Sequence, residues 1–283
     1  MSGLPDLSLD DTKCPVTVDD VTALFNEEQD VSSKDRRMLS MFLAERDCRN
    51  LLRLLKGNGD DITQLGNLSV EGLESLVACA REGVTDDELS FPEYMTDFVR
   101  EYDERAEEKG FFPDDSLMIR YWESLKTSDN RFMSDWAEFN INMSNILTAM
   151  IARSQEWNVG DYIIGENDVN DMIMTSKARD YDLGREYDYV PAIMRVMECD
   201  DPVEKEKRID ALRWVWLDDA VFFNTFSMDA VIAYLCKVQM MERWRLLDPI
   251  TGKVRFEEII NSLRSEVQVP EEFTLKSPFA RKD

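Results

Sequence analysis

Apolar residues recur at helical spacing along most of the chain, and the clearest run lies in its middle. Steps of four and three positions alternate between six large apolar residues: Phe132, Trp136, Phe139, Met143, Ile146 and Met150. This heptad spacing is typical of a long helix whose apolar seam packs against a nearly parallel neighbour. We therefore predict a bundle core here. Asn140, Asn142 and Asn145 lie on its other faces, where we expect them to bond neighbouring backbone.

Start and stop signals divide the rest of the chain into further helices. Thr17 with Asp20 predicts one helix start, Ser32 or Ser33 begins a long helix to Lys56, and Ser69 begins one that ends at Gly83. Other helices are predicted over 92–110, 167–179, 189–198 and 256–263, and from 202 and 227. The helix from 202 is expected to bury Ile209, Leu212, Trp216, Ala220 and Phe223.

The predicted fold is therefore all-α, an elongated bundle of long antiparallel helices that would also suit a funnel-like shape. The break after the central helix contains 161–165, which resembles a short strand without an obvious partner. We expect one helical body over residues 1–269, with 110 and 160 as the places where it would subdivide. Residues 270–283 are expected to form an extended tail.

The composition excludes several classes of active site. The chain of 283 residues has no histidine, so it has no Ser-His-Asp triad, no Cys-His pair and no histidine-bearing metal site. It carries 58 acids against 33 bases, a formal net charge of −25. Because phosphate binding needs clustered cations, we expect no nucleic-acid partner.

The compartment follows from the cysteines and from hydropathy. The five cysteines are scattered without a C-x-x-C pair, which favours a reducing compartment. No apolar run approaches the roughly 20 residues that span a bilayer, and we expect no signal peptide, because residues 1–11 show neither a basic nor an apolar region. We expect a cytoplasmic protein without direct membrane insertion.

A search for reaction chemistry finds no phosphate loop, dinucleotide fingerprint or nucleophile elbow. We therefore predict no catalytic residue, no resident metal and no cofactor. An alternative stays open, in which Asp168, Asp171 and Asp180 hold Mg²⁺ or Mn²⁺ in a helical hydrolase.

Two stretches of unbalanced charge are candidates for partner contacts. Residues 84–116 hold twelve acids and three bases, a net charge of −9, which suits either a solvated face or the docking of a basic partner. In the more basic stretch 237–264, we predict partner contacts by Arg243, Trp244, Arg245 and Arg255, because Arg and Trp are enriched at binding hot spots. The alternative is that Trp244 lies in the core and its flanking arginines pair with the chain's own acids.

Three segments resemble one family. They are the Leu-Pro-Asp-Leu opening at 4–7, the Cys-Arg-Asn-Leu-Leu-Arg-Leu-Leu run at 48–55, and the Met-Glu-Arg-Trp-Arg-Leu-Leu-Asp run at 241–248. They are similar to a family of uncharacterised bacterial proteins encoded among the subunits of V-type (archaeal-type) ATP synthases. Its members usually carry a Tyr-rich apolar segment before the opening, so we expect a start that is truncated relative to the family.

The resemblance implies a non-catalytic accessory or central-stalk subunit, a counterpart of the helical C (or d) collar. Its partners would be other V-type ATPase subunits of the central shaft or membrane ring, and it would lie at the inner membrane only through that complex. No catalytic residue is implied. A generic acidic scaffold for some other basic partner is the remaining alternative.

Overall fold

The structure, a computed structural model, describes residues 4–9, 14–28, 30–83, 91–108 and 111–246. Within these ranges the fold is all-α, as predicted, with ten α-helices and no strand. The helices are α1 (Val18–Glu27), α2 (Ser33–Leu55), α3 (Val70–Glu82), α4 (Glu93–Arg105), α5 (Pro113–Lys126), α6 (Arg131–Ser154), α7 (Asp168–Thr175), α8 (Val190–Met197), α9 (Pro202–Val221) and α10 (Met228–Leu246). The predicted helix at 256–263 and the tail at 270–283 lie outside the described residues.

Side-chain caps begin the helices where the sequence placed them. The Thr17 hydroxyl accepts the Asp20 N–H and the Asp20 carboxylate accepts the Thr17 N–H, which is a complete capping box. Ser32 and Ser69 cap α2 and α3 through their hydroxyl groups alone, which accept the N–H groups of Asp35 and Gly72. Gly83 then ends α3 at φ +68°, a left-handed conformation that costs glycine little.

Helix α5 was not predicted, although its start carries ordinary signals. Pro113 occupies the first turn, where its missing N–H costs nothing, and Asp114 and Asp115 follow it. Leu117, Tyr121 and Leu125 face the core at successive intervals of four. The apolar stripe is present in the sequence, but it directly follows the acidic 84–116 stretch, in which no helix start was expected at Pro113.

The short strand expected at 161–165 is wrong, because the chain forms a 3-10 helix at Val159–Asp161 and then a loop. The Asn145 side chain of α6 satisfies the loop's backbone: its amide donates to the Ile164 carbonyl at 2.8 Å and its oxygen accepts the Ile164 N–H at 3.1 Å. The predicted bonding of Asn145 across to neighbouring backbone is confirmed. A side chain thus supplies the hydrogen bonds that a partner strand would have made.

The core is one contiguous cluster of buried side chains that runs from α1 to α10. The predicted seam of α6 faces it, with Met150 half-buried and the other five members buried. Trp136 and Phe139 of α6 contact Trp216 of α9, with ring centroids 5.1 and 5.4 Å apart. Helix α10 packs on α1, α2 and α9, and buries residues on every face over most of its length.

The buried face predicted for α9 is partly wrong. Ile209 is buried and Trp216 is half-buried, but Ala220 and Phe223 are exposed. The helix ends at Val221, so the residues after it follow the turn into α10 and leave the face that packs on α6 and α8. No helix in the described part of the chain is long and apolar enough to cross a membrane.

Candidate functional site

The structure describes three of the four predicted partner-contact residues, and two of these three lie together. Arg243 and Trp244 are half-buried on α10 and bond to Asp210 of α9, whereas Arg245 is exposed. Arg255 lies outside the described residues. The structure therefore brings Arg243 and Trp244 together around an internal acid. The pairing of Arg243 agrees with the alternative interpretation, whereas Trp244 is half-buried rather than a core residue and Arg245 is exposed.

Asp210 is the centre of what we name the Asp210 cluster: Asp210, Arg213, Arg243 and Trp244. Its side chain is about 1% exposed, and its Oδ2 accepts the Trp244 indole N–H at 2.7 Å and an Arg243 guanidinium N–H. Its Oδ1 accepts from Arg213 at 3.1 Å, one helical turn further along α9. Three donors thus satisfy one buried carboxylate, so burial of its charge is compensated.

The cluster links α6, α9 and α10 by hydrogen bonds, and its two arginines both pair with acids of the chain. Arg213 also donates from Nε to the Asn140 oxygen of α6 at 3.1 Å, and Arg243 lies 3.6 Å from Glu206. A pocket of about 350 Å³ lies beside it, walled by Trp122, Trp136 and Met240. The three guanidinium groups that line this pocket, those of Arg49, Arg213 and Arg243, are already held by acids of the chain.

A second buried ion pair anchors α10 to the first two helices. Arg46 of α2 lies between Asp19 of α1 and Glu242 of α10, with its Nη2 3.3 Å from the Glu242 carboxylate. Glu242 also accepts the Val18 N–H at 3.1 Å. Burial raises the pKa of Glu242, against the opposing effects of the Val18 N–H and the Arg46 charge.

The acidic candidates do not converge on a metal site. Among the described residues, no group of three or more cysteine, Asp or Glu side chains is arranged to hold an ion. Asp168 and Asp171 lie in the first turn of α7, and Asp180 accepts the Asp182 N–H within its own loop. The structure does not bring the three together.

In the described part of the 84–116 stretch, more than half of the acidic side chains form ion pairs within the chain. Asp103 accepts two hydrogen bonds from Arg81, and Glu101 lies between Arg105 and Arg120. Pairs of this kind on an exposed face contribute about 0–1 kcal/mol each. They do, however, neutralise much of the charge that the sequence displays.

In the part of the chain that the structure describes, the most exposed large apolar side chains lie at the turn between α9 and α10. Phe222 is 69% exposed, Phe223 is 91% exposed and Phe226 is 89% exposed. We name these three residues the phenylalanine tip. The first two rings contact each other edge to face, with centroids 4.9 Å apart, and the Ser227 hydroxyl then accepts the Ala230 N–H at the start of α10.

Sequence reasoning missed the phenylalanine tip, and the sequence gives only half of the signal for it. The helix predicted from 227 begins behind Ser227, and this cap keeps the preceding residues outside α10. Phe222, Phe223 and Phe226 fall in a connection because α9 also ends at Val221, and that end was not predicted. Large exposed apolar groups placed together are typical of interaction surfaces.

Comparison with known proteins adds a family and nothing on activity. No curated protein and no solved structure matches the chain. A family model described as "Protein of unknown function (DUF2764)" matches residues 1–267. Since that match covers far more than half of the sequence, the chain belongs to this family.

Proposed function

We propose that this protein is a non-catalytic accessory or central-stalk subunit of a V-type ATPase, counterpart of the C (or d) collar, and that it docks through the phenylalanine tip. The observation that carries the docking step is the exposure of Phe222, Phe223 and Phe226 at 69, 91 and 89%. Three solvated aromatic rings are costly on a protein that acts alone, and their burial in a complex is strongly favourable. The V-type ATPase as the complex rests on the resemblance of the 4–7, 48–55 and 241–248 segments.

The partner at the tip is a protein cleft with an apolar floor and a basic rim. Asp219 precedes the tip and Asp229 follows it, so one acid flanks the three rings on each side, while Asp218 pairs with Lys237 of the same chain. Segments that insert into a membrane surface carry Lys and Arg instead, because biological membranes are often anionic. The acidic flanks therefore favour a basic protein surface over a bilayer.

The body behind the tip is suited to transmitting force. Helices α9 and α10 pack along each other, and the Asp210 cluster fixes them to each other and to α6. The Arg46–Glu242 pair fixes α10 to α2. A push on the tip would therefore reach the bundle core through closely packed, hydrogen-bonded helices.

Affinity purification from the native host tests the proposal. A tagged protein should recover V-type ATPase subunits at low salt, and recovery should fall as salt screens the acidic flanks. The variant Phe222→Ser/Phe223→Ser/Phe226→Ser should lose roughly 2 kcal/mol or more of binding, the effect of removing hot-spot residues. Val203→Ser/Val215→Ser removes two exposed apolar residues of α9 outside the tip and should recover the subunits normally.

Two results would count against the proposal. Recovery of no ATPase subunit by the wild-type protein would reject the assembly, and recovery of a different basic protein would favour the generic scaffold. Equal recovery by the tip variant would reject the tip as the docking element.

A further inference from the structure

A second uncovered apolar surface lies in a groove between α5 and α6. Its volume is about 720 Å³, within the range of sites that hold ligands. The end of α4, the loop before α5 and the connection after α6 close its sides. We name it the α5–α6 groove.

Aromatic and aliphatic side chains line the groove and remain open to solvent. Phe112 is 53% exposed, Ile151 is 43% exposed and Trp157 is 49% exposed, while Ile119 and Ala152 form a buried floor. The Trp157 and Tyr162 rings stack with centroids 5.3 Å apart, and Phe112 lies 6.4 Å from Tyr162. The groove thus offers one continuous apolar wall.

The backbone holds this wall in place. Glu156 adopts φ +58°, an unusual left-handed conformation for a residue with a side chain, and so reverses the chain at the end of α6. The Trp157 N–H then donates to the Ala152 carbonyl at 2.8 Å. Trp157 is therefore directed back over α6, into the groove, by fixed backbone geometry.

The rim of the groove is acidic. Glu101, Asp115, Glu123 and Asp161 line it together with two bases, Arg105 and Arg120, which both pair with Glu101. Four acids against two bases give a net charge of −2. Among the described residues, Asp115, Glu123 and Asp161 take part in no ion pair, so their charges remain open to a partner.

We propose that the α5–α6 groove binds a basic amphipathic helix of a partner protein. The helix would lay its apolar face on Phe112, Ile151 and Trp157, a recognised mode of helix-in-groove recognition. Its Lys and Arg side chains would meet Asp115, Glu123 and Asp161, and a cation over the exposed indole face would add a cation–π contact. This inference rests on the proposed function in one respect, that the chain assembles with other proteins, and it adds the chemistry of one partner segment.

The probe is a short synthetic Leu/Lys peptide designed as an amphipathic helix and carrying a fluorescent label. Anisotropy at physiological salt measures its affinity. Ile151→Asp should weaken binding by roughly tenfold or more, equivalent to about 1.4 kcal/mol. Val215→Asp, at an exposed apolar residue of α9 outside the groove, adds the same charge and should bind as wild type does.

A shuffled peptide of the same composition, whose leucines form no single face, separates recognition from general attraction to a chain of net charge −25. It should bind at least roughly tenfold more weakly than the amphipathic peptide. Asp115→Asn/Glu123→Gln/Asp161→Asn should weaken binding of the amphipathic peptide and flatten its salt dependence.

Equal binding of the two peptides, or equal affinity of wild type and Ile151→Asp, would overturn the groove proposal. Binding to vesicles of neutral phosphatidylcholine that Ile151→Asp abolishes would overturn it too, since it would assign the groove to lipid. None of these results bears on the phenylalanine tip. If the Ile151→Asp protein still recovers ATPase subunits, the proposed function stands even where the groove proposal fails.

Discussion

Two regions of the α9–α10 pair use their side chains in opposite ways. In the Asp210 cluster, the charged side chains bond to one another. At the turn between the two helices, Phe222, Phe223 and Phe226 extend into solvent, with exposures of 69, 91 and 89%. The comparison teaches that a side chain is available to a partner when its own chain leaves it unsatisfied, whatever its polarity.

Removal of the central carboxylate should have the largest effect on stability. Asp210→Ala removes the acceptor of three hydrogen bonds and leaves Arg213 with the Asn140 oxygen and Arg243 with Glu206, 3.6 Å away. Loss of one partner of a buried pair costs about 3–5 kcal/mol, and we expect about 3 kcal/mol because both guanidinium groups are partly exposed. Urea unfolding measures this cost. Asp219→Ala, at an exposed acid of the same helix, should change the free energy of unfolding by less than about 0.5 kcal/mol.

Two arginines two residues apart on α10 provide a smaller and sharper contrast. Arg243→Ala removes a charge-assisted hydrogen bond to Asp210 and should cost about 1.5–3 kcal/mol of unfolding free energy. Arg245→Ala changes an exposed side chain and should cost less than about 0.5 kcal/mol. Equal costs for the two variants would contradict the internal role assigned to Arg243.

The pH dependence of stability should reveal the neighbouring buried acid of α10. Burial raises the pKa of Glu242 above its ordinary 4.5, so the folded protein holds this proton to a higher pH than the unfolded chain does. The contribution of Glu242 to stability therefore increases as pH falls through its folded pKa, and is lost as pH rises. Wild type should gain in Tm relative to Glu242→Gln as pH falls from about 7 towards the ordinary carboxyl range of about 4. A difference in Tm between wild type and Glu242→Gln that stays constant across this pH range would contradict a raised pKa for Glu242.

Replacement of the phenylalanine tip should have the smallest effect on the isolated chain. Phe222→Ser/Phe223→Ser/Phe226→Ser removes rings that are already in water, so the free energy of unfolding should change by less than about 0.5 kcal/mol. Urea unfolding beside the Asp210→Ala protein makes the contrast direct. A large loss of stability would show that the rings are part of the core, and would break the comparison.

The sequence predicts the fold better than it predicts the site, because the helices depend on residues close together in the sequence, whereas the site depends on residues far apart in it. The α6 seam and the helix starts at Thr17 and 227 depend on neighbours a few residues apart, and all three predictions are confirmed. Helix α5 shows the same local signals, although it was not predicted. Hydrophobic periodicity and capping are therefore sufficient for most of this architecture.

The site depends on contacts that no local pattern displays. Asp210 lies 33 residues before Arg243, and only the packing of α9 on α10 makes one the partner of the other. The exposure of Phe223 depended on where α9 ends, and one further turn would have returned it to the predicted buried face. Residues of the α5–α6 groove come from four separate segments, so its apolar wall appears only in three dimensions.

Photo-crosslinking at the tip tests the central claim most directly. Phe223 is replaced by p-benzoylphenylalanine in the native host, which keeps an aromatic ring at the most exposed of the three positions. The account predicts a cross-link to a V-type ATPase subunit, with none when the same group replaces exposed Val203. Cross-links at Phe223 that are absent, or no different from those at Val203, would contradict it.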